Sequence, residues 1–365
     1  MEIKAPTFSR TDKNHFFRTL NKRVNEYFKE ENIEKTGNWK LHLKSIIMFA
    51  LFFVPFFVIS FIEVSVVVYL LSSIVIGIGM AGVGMNVMHD GNHGSYSSKT
   101  WLNKIMGGSI YILAGNVCNW QVQHNVLQHT YTNIPGHDED LDAGRVIRFT
   151  KEAKWYKFHA FQHYYSIFLY GLLTINWCLT TDFKQMGGYL KRKLSYGSEP
   201  NHVNLWTGLV ISKIVYFGFW IVLPLIFGVA SWWVILLGFF AMHYTAGMIL
   251  SVVFQLAHIT EDTINPHPND NGEIENTWAI HQLLTTVNFA PKNWIVNWYT
   301  GGLNHQIEHH IFPNISHIHY GKIAEFVKQT AAECDLPYFE YQSMRSAVVA
   351  HFRHLKDLGQ KPQLA

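Results

Sequence analysis

The chain has 365 residues, of which 48% are hydrophobic, 15% are aromatic and only 15% are charged. Soluble domains usually carry about a quarter charged residues, so this deficit indicates a membrane protein. The formal net charge of +3 is small and gives no sign of a nucleic-acid partner. Three cysteines far apart in sequence exclude a zinc ribbon or an iron–sulfur motif.

Four apolar stretches are candidates for membrane spans, because roughly 17–25 apolar residues can cross the hydrocarbon core. They lie at about residues 46–62, 64–88, 214–229 and 232–254. Almost no residues separate the members of each pair, which predicts two tight hairpins. The expected fold is an all-α integral membrane protein with four transmembrane helices and a cytoplasmic helical cap. The cap is expected to hold the metal site described below.

Basic residues predict the orientation of these spans. Of 29 Lys and Arg residues, only Lys213 falls outside the three segments that flank the hairpins. The positive-inside rule therefore puts both termini and the segment between the hairpins in the cytoplasm. The first 44 residues are polar and lack the apolar core of a secretory signal, so insertion is expected to depend on internal helices. The predicted domains are an N-terminal segment (1–44), a membrane domain (45–320) and a C-terminal helical tail (321–365).

Three further features of the apolar stretches carry predictions. Close helix approach in lipid is expected at the small residues of the second span, Gly77, Gly79, Gly82 and Gly84. The short, aromatic-rich stretch Ile167 to Thr181 is expected to lie along the membrane interface. His243 falls inside the fourth span, where interhelical hydrogen bonding is the favoured interpretation and tunnel lining the second.

Histidines gather where the predicted spans end. The chain has 21 of them. One pair at helical spacing is more often interfacial polarity than a metal site, but several groups at one membrane face favour a metal centre. Imidazole suits iron, copper and zinc, and more than six imidazoles exceed what one tetrahedral zinc needs. The sequence therefore predicts two metal ions at three histidine clusters and one further histidine: His89–His93, His124–His129, His305–His310 and His258.

The clusters and their flanking residues resemble a known family. The segments HNVLQHTYTNIPGHDEDLD from His124 and GGLNHQIEHHIFPNISH from Gly301 are similar to the histidine boxes of membrane fatty acid desaturases. Within that family they resemble the front-end or linoleoyl-CoA desaturase-like branch. The resemblance covers the chain from the first span to about residue 320.

The resemblance implies two iron ions, dioxygen as co-substrate and an external electron donor. It also implies iron ligands at seven histidines: His89, His93, His124, His129, His258, His309 and His310. Gln306 matches the branch that has Gln where other desaturases have His. The second box departs from the family pattern, since Gln128 stands where an imidazole is usual. A neutral amide is a poorer iron ligand than imidazole. His305 is therefore a candidate for the missing imidazole ligand, and Gln128 is a candidate for a weakly bound ligand.

Polar residues near the boxes are expected to accept hydrogen bonds from the free N–H groups of the imidazoles. The candidates are Asp90, Asn92, Asp138, Asp140, Asp142, Glu261, Asp262 and Glu308. For residues 137–142, a solvated acidic loop is an equally good interpretation. A basic run could bind the phosphates of coenzyme A or of a lipid head group, although a positive-inside flank is the more common explanation. Its members are Arg145, Arg148, Lys151, Lys154 and Lys157.

The predicted function is a dioxygen-dependent fatty-acyl desaturase that introduces a cis double bond into an acyl-CoA or acyl-lipid chain. The sequence lacks the His-Pro-Gly-Gly motif of a fused cytochrome b5 domain. The expected electron donor is therefore a separate ferredoxin, flavoprotein or cytochrome b5-type protein. The alternatives are a membrane di-iron lipid hydroxylase, a non-catalytic metal-binding transporter or receptor, and a desaturase homologue inactivated by Gln128.

Overall fold

The computed structural model describes residues 5–11, 15–196 and 201–362, and these residues are mostly helical. The ends of the predicted N-terminal segment and C-terminal tail lie outside the described residues. The chain forms two compact units. The first unit comprises Met1–Thr36, Gln123–Ser166 and Val253–Ala365, and the second comprises Gly37–Val122 and Ile167–Val252. The subdivision at residues 44 and 320 stays a prediction.

Within the described residues, four helices are long and apolar enough to cross a membrane, which agrees with the predicted number of spans. They are Trp39–Phe61, Val66–Asn92, His202–Phe227 and Trp232–His258. The first and third begin well before the apolar stretches, because flanking polar residues continue the helix. At the first, the Asn38 side chain accepts a hydrogen bond from the Lys40 N–H at 2.9 Å and caps the helix.

Short π-helical turns interrupt two of these spans. The second span consists of Val66–Val83, the π-helical Gly84–Met88 and the α-helical His89–Asn92. The third consists of His202–Phe217, the π-helical Gly218–Val222 and Leu223–Phe227. The remaining helical segments of the second unit are Thr100–Gly108, Ser109–Leu113, Val117–Trp120, Leu173–Asn176, Trp177–Thr181 and Asp182–Lys191. The stretch predicted to lie along the interface is thus helical but broken, and it is not among the four candidate spans.

Close packing of the spans depends on small residues. A Cβ added at Gly79 would lie 2.5 Å from the Phe52 backbone nitrogen on the first span helix. A Cβ at Gly77 would lie 2.5 Å from the Met242 carbonyl oxygen on the fourth. Real Cβ atoms do not approach backbone this closely, so both glycines are required for the observed contacts.

Buried polar groups of the second unit are hydrogen-bonded to one another. The Nε2 of His243 lies 2.8 Å from the Tyr216 hydroxyl, and its Nδ1 lies 3.0 Å from the Thr174 hydroxyl. Tyr216 is on the third span and His243 on the fourth, so the predicted interhelical hydrogen bond is confirmed. Lys213, also on the third span, donates to the Asp182 carboxylate at 2.6 Å. Partners of this kind lower the cost of burying charge.

The first unit has its own apolar core. Helix Phe16–Glu30 buries one residue every fourth position, and these residues belong to the core cluster together with helix Tyr320–Glu333 and helix Gln306–Ile311. Its helical segments are Phe16–Glu30, His129–Tyr131, Glu139–Leu141, Lys157–Phe161, Trp278–Thr285, Trp294–Tyr299, Gln306–Ile311, His317–His319, Tyr320–Glu333 and Met344–Leu358, and helix Gln162–Tyr170 begins in this unit and ends in the second. Two short parallel strand pairs tie distant segments together: Thr7–Phe8 with Glu273–Ile274, and Asn288–Phe289 with Glu340–Tyr341.

Candidate metal centre

The first histidine pair lies at the end of the second span, in the second unit. The His93 N–H donates to the His89 carbonyl at 3.1 Å, the i to i−4 bond of an α-helix. The two rings consequently lie on one face, with centroids 4.6 Å apart. The indole of Trp120 packs edge-on against both rings, with centroids 5.7 Å from each. The predicted i,i+4 pairing is therefore present in the structure.

Asn92 stabilises the turn that carries this pair. Its amide donates to the Gly107 carbonyl at 3.0 Å and to the Met88 carbonyl at 3.1 Å, and its Oδ1 accepts from Gln121 at 3.1 Å. Asp90 is also buried, and its carboxylate oxygen lies 3.9 Å from the His89 Nδ1. Both predicted support residues thus lie beside the first pair. Asn92 acts on the backbone of the helix.

The second histidine pair lies on a π-helical segment, Gln121–Gln128, which continues into His129–Tyr131. His124 and His129 are five residues apart, and in an α-helix they would point about 140° away from each other. A π-helix has i to i+5 periodicity, so residues five apart share a face. The Nε2 atoms of the two imidazoles are accordingly 3.2 Å apart. The sequence spacing alone did not predict this helix type.

The third cluster lies on the short helix Gln306–Ile311, every residue of which is buried. The Nε2 of His309 lies 3.0 Å from that of His129, and the rings of His309 and His124 stack with centroids 5.7 Å apart. The ligand atoms of His129, His309 and His310 all lie within 4.8 Å of one another. Four histidines of the second and third boxes therefore converge in the first unit, and the ring centroid of His258 lies 5.0 Å from that of His310.

Two residues that the sequence analysis missed orient these imidazoles. The Oε1 of Gln282 accepts from the His310 Nδ1 at 2.9 Å, and the Tyr320 hydroxyl lies 3.1 Å from the His309 Nδ1. With Nδ1 engaged in this way, each ring presents Nε2 to the centre. Gln282 is on helix Trp278–Thr285 and carries no local motif, so nothing in the sequence pattern distinguishes it.

Two amides complete this group of side chains. The Nε2 of Gln128 lies 3.2 Å from the His258 Nε2 and 3.4 Å from the His310 Nε2. The Nε2 of Gln306 lies 2.9 Å from the His258 Nε2. Gln128 and His310 are 1% and 0% exposed, so water does not reach these contacts freely.

The chemistry of this donor set fits iron. Bonds of about 2.0–2.1 Å from a metal to imidazole nitrogen place two nitrogens on one ion roughly 3 Å apart. The Nε2 separations of 3.0 and 3.2 Å around His129 agree with that spacing. Imidazole is a good ligand for iron, and the side chains that hold each Nδ1 proton are of the kind that tune such sites.

Asp138 and Asp140 support the π-helical segment. The Asp140 carboxylate accepts from the Gln123 amide at 2.5 Å, next to His124 in the chain. Asp138 accepts from the backbone N–H groups of Asn133 at 2.8 Å and Asp140 at 3.0 Å. Burial raises the pKa of Asp138 to about 6, and burial together with the Asp138 carboxylate raises the pKa of Asp140 well above its usual value.

The other predicted acidic residues differ in their surroundings. Glu308 is fully buried, and its carboxylate accepts from Asn288 at 2.7 Å and from the Tyr338 hydroxyl at 3.1 Å. Asp142 is exposed and accepts from the Gly144 N–H. Glu261 is exposed and lies 3.5 Å from Arg353. Of these three residues, only Glu308 lies on the helix of the third box, Gln306–Ile311.

His305 is buried, and its Nδ1 lies 3.7 Å from the Glu308 carboxylate. Among the described residues it is not part of a group of metal-ligating side chains, so a compensating role stays a prediction. Arg148 is buried too, and its guanidinium donates to the carbonyls of Ala153 at 2.8 Å, Leu358 at 2.6 Å and Lys151. The prediction of head-group binding therefore depends on the exposed members of the basic run, Arg145, Lys151 and Lys154.

Comparison with known proteins identifies the family. Residues 64–342 match the model of the fatty acid desaturase family. The chain is 35% identical over 351 residues to the sn-1 linoleoyl-lipid 6-desaturase of Arthrospira platensis, covering 95% of this chain and 94% of that protein. It is 33% identical to the protein of the same name from Synechocystis, covering 98% and 99%. It is 34% identical to the acyl-lipid (8-3)-desaturase of Physcomitrium patens, covering 94% and 72%.

Among the described residues, four candidate spans and two groups of histidines that could hold a metal ion are the features of a membrane metalloprotein. The chain is a member of the fatty acid desaturase family. It is an oxidoreductase that desaturates fatty-acyl chains, as the sequence analysis predicted.

Proposed function

We propose that the protein is a front-end acyl-lipid desaturase that inserts a cis double bond between an existing double bond and the carboxyl end. The names of its relatives, which include linoleoyl-lipid 6-desaturases, support both the lipid-linked substrate and the position. The Gln306-containing third box supports the front-end branch by resemblance. The observation that carries the proposal is the convergence of buried imidazole nitrogens at 3.0–3.2 Å around His129.

Two iron ions would be held mainly by the seven histidines His89, His93, His124, His129, His258, His309 and His310. When bound, iron supplies the oxidising power that removal of hydrogen from an unactivated methylene requires, with dioxygen as co-substrate. The side chains contribute orientation. Tyr320 and Gln282 keep the Nδ1 protons of His309 and His310 in place, so that the Nε2 lone pairs stay directed to the centre.

Burial of the ligands excludes water from the reacting methylene. The His309 and His310 side chains are 0% exposed, and the apolar core of the first unit surrounds their helix. Exclusion of water prevents the loss of oxidising equivalents in side reactions. Positioning one methylene pair near the centre is the other requirement of the reaction.

The topology belongs to the same proposal. Two hairpins with both termini and the centre on the cytoplasmic side agree with the distribution of Lys and Arg along the chain. Electrons would come from a separate ferredoxin, flavoprotein or cytochrome b5-type donor. The exposed Arg145, Lys151 and Lys154 would contact the phosphate of the lipid head group.

The test is expression in a host that lacks polyunsaturated lipids, with defined fatty acids supplied and the lipids analysed by mass spectrometry. Loss of two hydrogens at a position on the carboxyl side of an existing double bond is the expected result. Gain of one oxygen instead would identify a hydroxylase. Purified protein with zinc alone and no dioxygen uptake would favour the non-catalytic metal-binding alternative.

A further inference from the structure

Gln128 occupies the position of the second box where the desaturase family usually has an imidazole. Its side chain is 1% exposed, and its Nε2 faces the imidazoles of His258 and His310. Its Oε1 is buried without a hydrogen-bond partner among the described residues. The amide therefore presents its N–H groups, and not its oxygen, to the imidazole nitrogens of His258 and His310.

The number of hydrogen-bond donors in this group exceeds the number of acceptors. The His310 Nδ1 faces the Gln282 Oε1 at 2.9 Å, so it carries the proton and leaves one lone pair on Nε2. His258 also has one Nε2 lone pair to offer, yet the amide nitrogens of Gln128 and Gln306 both approach it, at 3.2 and 2.9 Å. Only one amide can donate to His258, and the shorter contact of Gln306 leaves Gln128 with the longer contact of 3.4 Å to His310.

A 180° rotation about the last side-chain bond of Gln128 exchanges Oε1 and Nε2. It places the carbonyl oxygen next to the His258 and His310 Nε2 atoms and breaks no hydrogen bond of Oε1. Amide carbonyl oxygens are metal ligands, whereas amide nitrogens have no lone pair available. Separations of 3.2 and 3.4 Å suit ligands that share one ion, since metal–nitrogen bonds of about 2.0–2.1 Å give roughly 3 Å.

His258 needs such a ligand. Among the described residues, it belongs to no group of three His, Cys, Asp or Glu side chains close enough to share an ion. We infer that Gln128 coordinates the metal ion bound by His258 and His310 through its carbonyl oxygen, in place of the missing imidazole. This inference rests on the proposed function, because it assumes that iron is the resident metal.

Two consequences follow from an oxygen ligand at this position. The two irons become inequivalent, because only one of them has an amide ligand. The iron at His258 is also held more weakly, since a neutral amide oxygen is a poorer donor than imidazole. A chelator is expected to remove one iron from the wild type at a concentration at least about tenfold lower than from Gln128→His, the lower end of the effect of changed ligand environments.

The test uses three variants of nearly the same size and the full-length protein in detergent. Gln128→Glu keeps an oxygen at this position, now as a carboxylate, but has no N–H group. Gln128→Leu has neither an oxygen nor an N–H group. Gln128→His restores the family ligand. Gln329→Leu on the exposed face of helix Tyr320–Glu333 is the matched control. Iron per chain is measured by mass spectrometry, and the iron environments are measured by Mössbauer spectroscopy.

Coordination through oxygen predicts two irons in the wild type, in Gln128→Glu and in Gln128→His, and about one iron in Gln128→Leu. The two Mössbauer doublets of the wild type should become more alike in Gln128→His. If Gln128 acts only as a hydrogen-bond donor, Gln128→Glu loses iron as Gln128→Leu does, and the inference is overturned. Two irons and an unchanged spectrum in Gln128→Leu overturn it as well.

Failure of the proposed function gives a different result. A wild type that binds two irons and desaturates lipid upholds the function whatever the variants do. A wild type without iron overturns both the function and the inference, whereas a wild type with two irons and no desaturated product overturns the function alone. If Gln128→Leu does not fold, the comparison of Gln128→Glu with the wild type still decides, because loss of iron in the charged variant contradicts coordination through oxygen.

Discussion

The two histidine pairs reach the same result by different backbone geometry. His89 and His93 are four residues apart on an α-helical turn, with ring centroids 4.6 Å apart. His124 and His129 are five residues apart on a π-helical segment, with ring centroids 4.7 Å apart. A chain can therefore present two imidazoles on one face with either spacing, provided that the helix type matches the spacing.

Side chains from neighbouring segments support both the π-helical segment and the α-helical turn. A π-helix is rare and is retained mostly at functional sites, which indicates a cost in stability. Here the Asp140 carboxylate binds Gln123 within the segment, and the Thr132 hydroxyl donates to the Gln128 carbonyl at 2.6 Å just beyond it. At the α-helical turn, the Asn92 side chain serves a similar purpose.

Deletion of Val126 is the strongest way to break this comparison. The deletion reduces the residues between the histidines from four to three. The π-helical segment then no longer places the two imidazoles on one face, and every later side chain in it changes direction. We expect loss of at least one iron per chain and no detectable desaturation, measured by metal analysis and lipid mass spectrometry. Deletion of Ser98, which is exposed in the second unit, is the control. Retention of both irons would contradict the role of the π-helical segment.

Tyr320→Phe tests the orientation of the imidazoles in the first unit. The change removes the hydroxyl 3.1 Å from the His309 Nδ1 and keeps the ring that fills the core. Loss of such a partner typically lowers metal affinity or activity by 10–100-fold, so we expect about a tenfold drop in iron affinity. The measurement is iron retention during titration with a chelator. Tyr27→Phe, on a residue only packed against that core, should leave iron affinity unchanged.

Asn92→Ala tests the support of the α-helical turn. The variant leaves the Gly107 carbonyl and the Gln121 amide without their partner, which costs about 1–3 kcal/mol for a buried polar group. We expect a lower thermal unfolding midpoint in detergent and a smaller loss of iron than in the Val126 deletion. An unchanged midpoint would mean that the turn is held by other contacts. Asn21→Ala, on the exposed side of helix Phe16–Glu30, provides the baseline.

Asp138→Asn should have the smallest effect, and its sign depends on pH. Burial raises the folded-state pKa of Asp138 to about 6, above the usual 3.8, so its ionisation opposes folding. The folded state therefore loses stability from this group as pH rises from about 4 through 6. Relative to the wild type, the variant should gain stability between pH 4 and pH 6, measured by thermal unfolding. A difference that is constant over this range would exclude a raised pKa.

Features with local causes could be predicted from the sequence. The four spans and the α-helical pair follow from apolar length and from spacing. The helix type of the second pair could not be predicted, because its apolar pattern does not distinguish π from α periodicity. The partners of His310 and Arg148 depend on contacts 28 and 210 residues away in sequence, at Gln282 and Leu358. Such pairs are set by tertiary packing, which a single sequence does not show.

The core of the first unit joins the beginning of the chain to its end. Arg23 donates to the Thr330 hydroxyl at 2.8 Å across 307 residues of sequence. At about 5–20 residues per second, a ribosome needs roughly 15–60 s to make that intervening chain. Partners for the apolar face of helix Phe16–Glu30 begin with helix Trp278–Thr285, so all four candidate spans are synthesised before that face can be covered. The spans are therefore available for insertion into the membrane before the unit that contains the second and third histidine boxes can be completed.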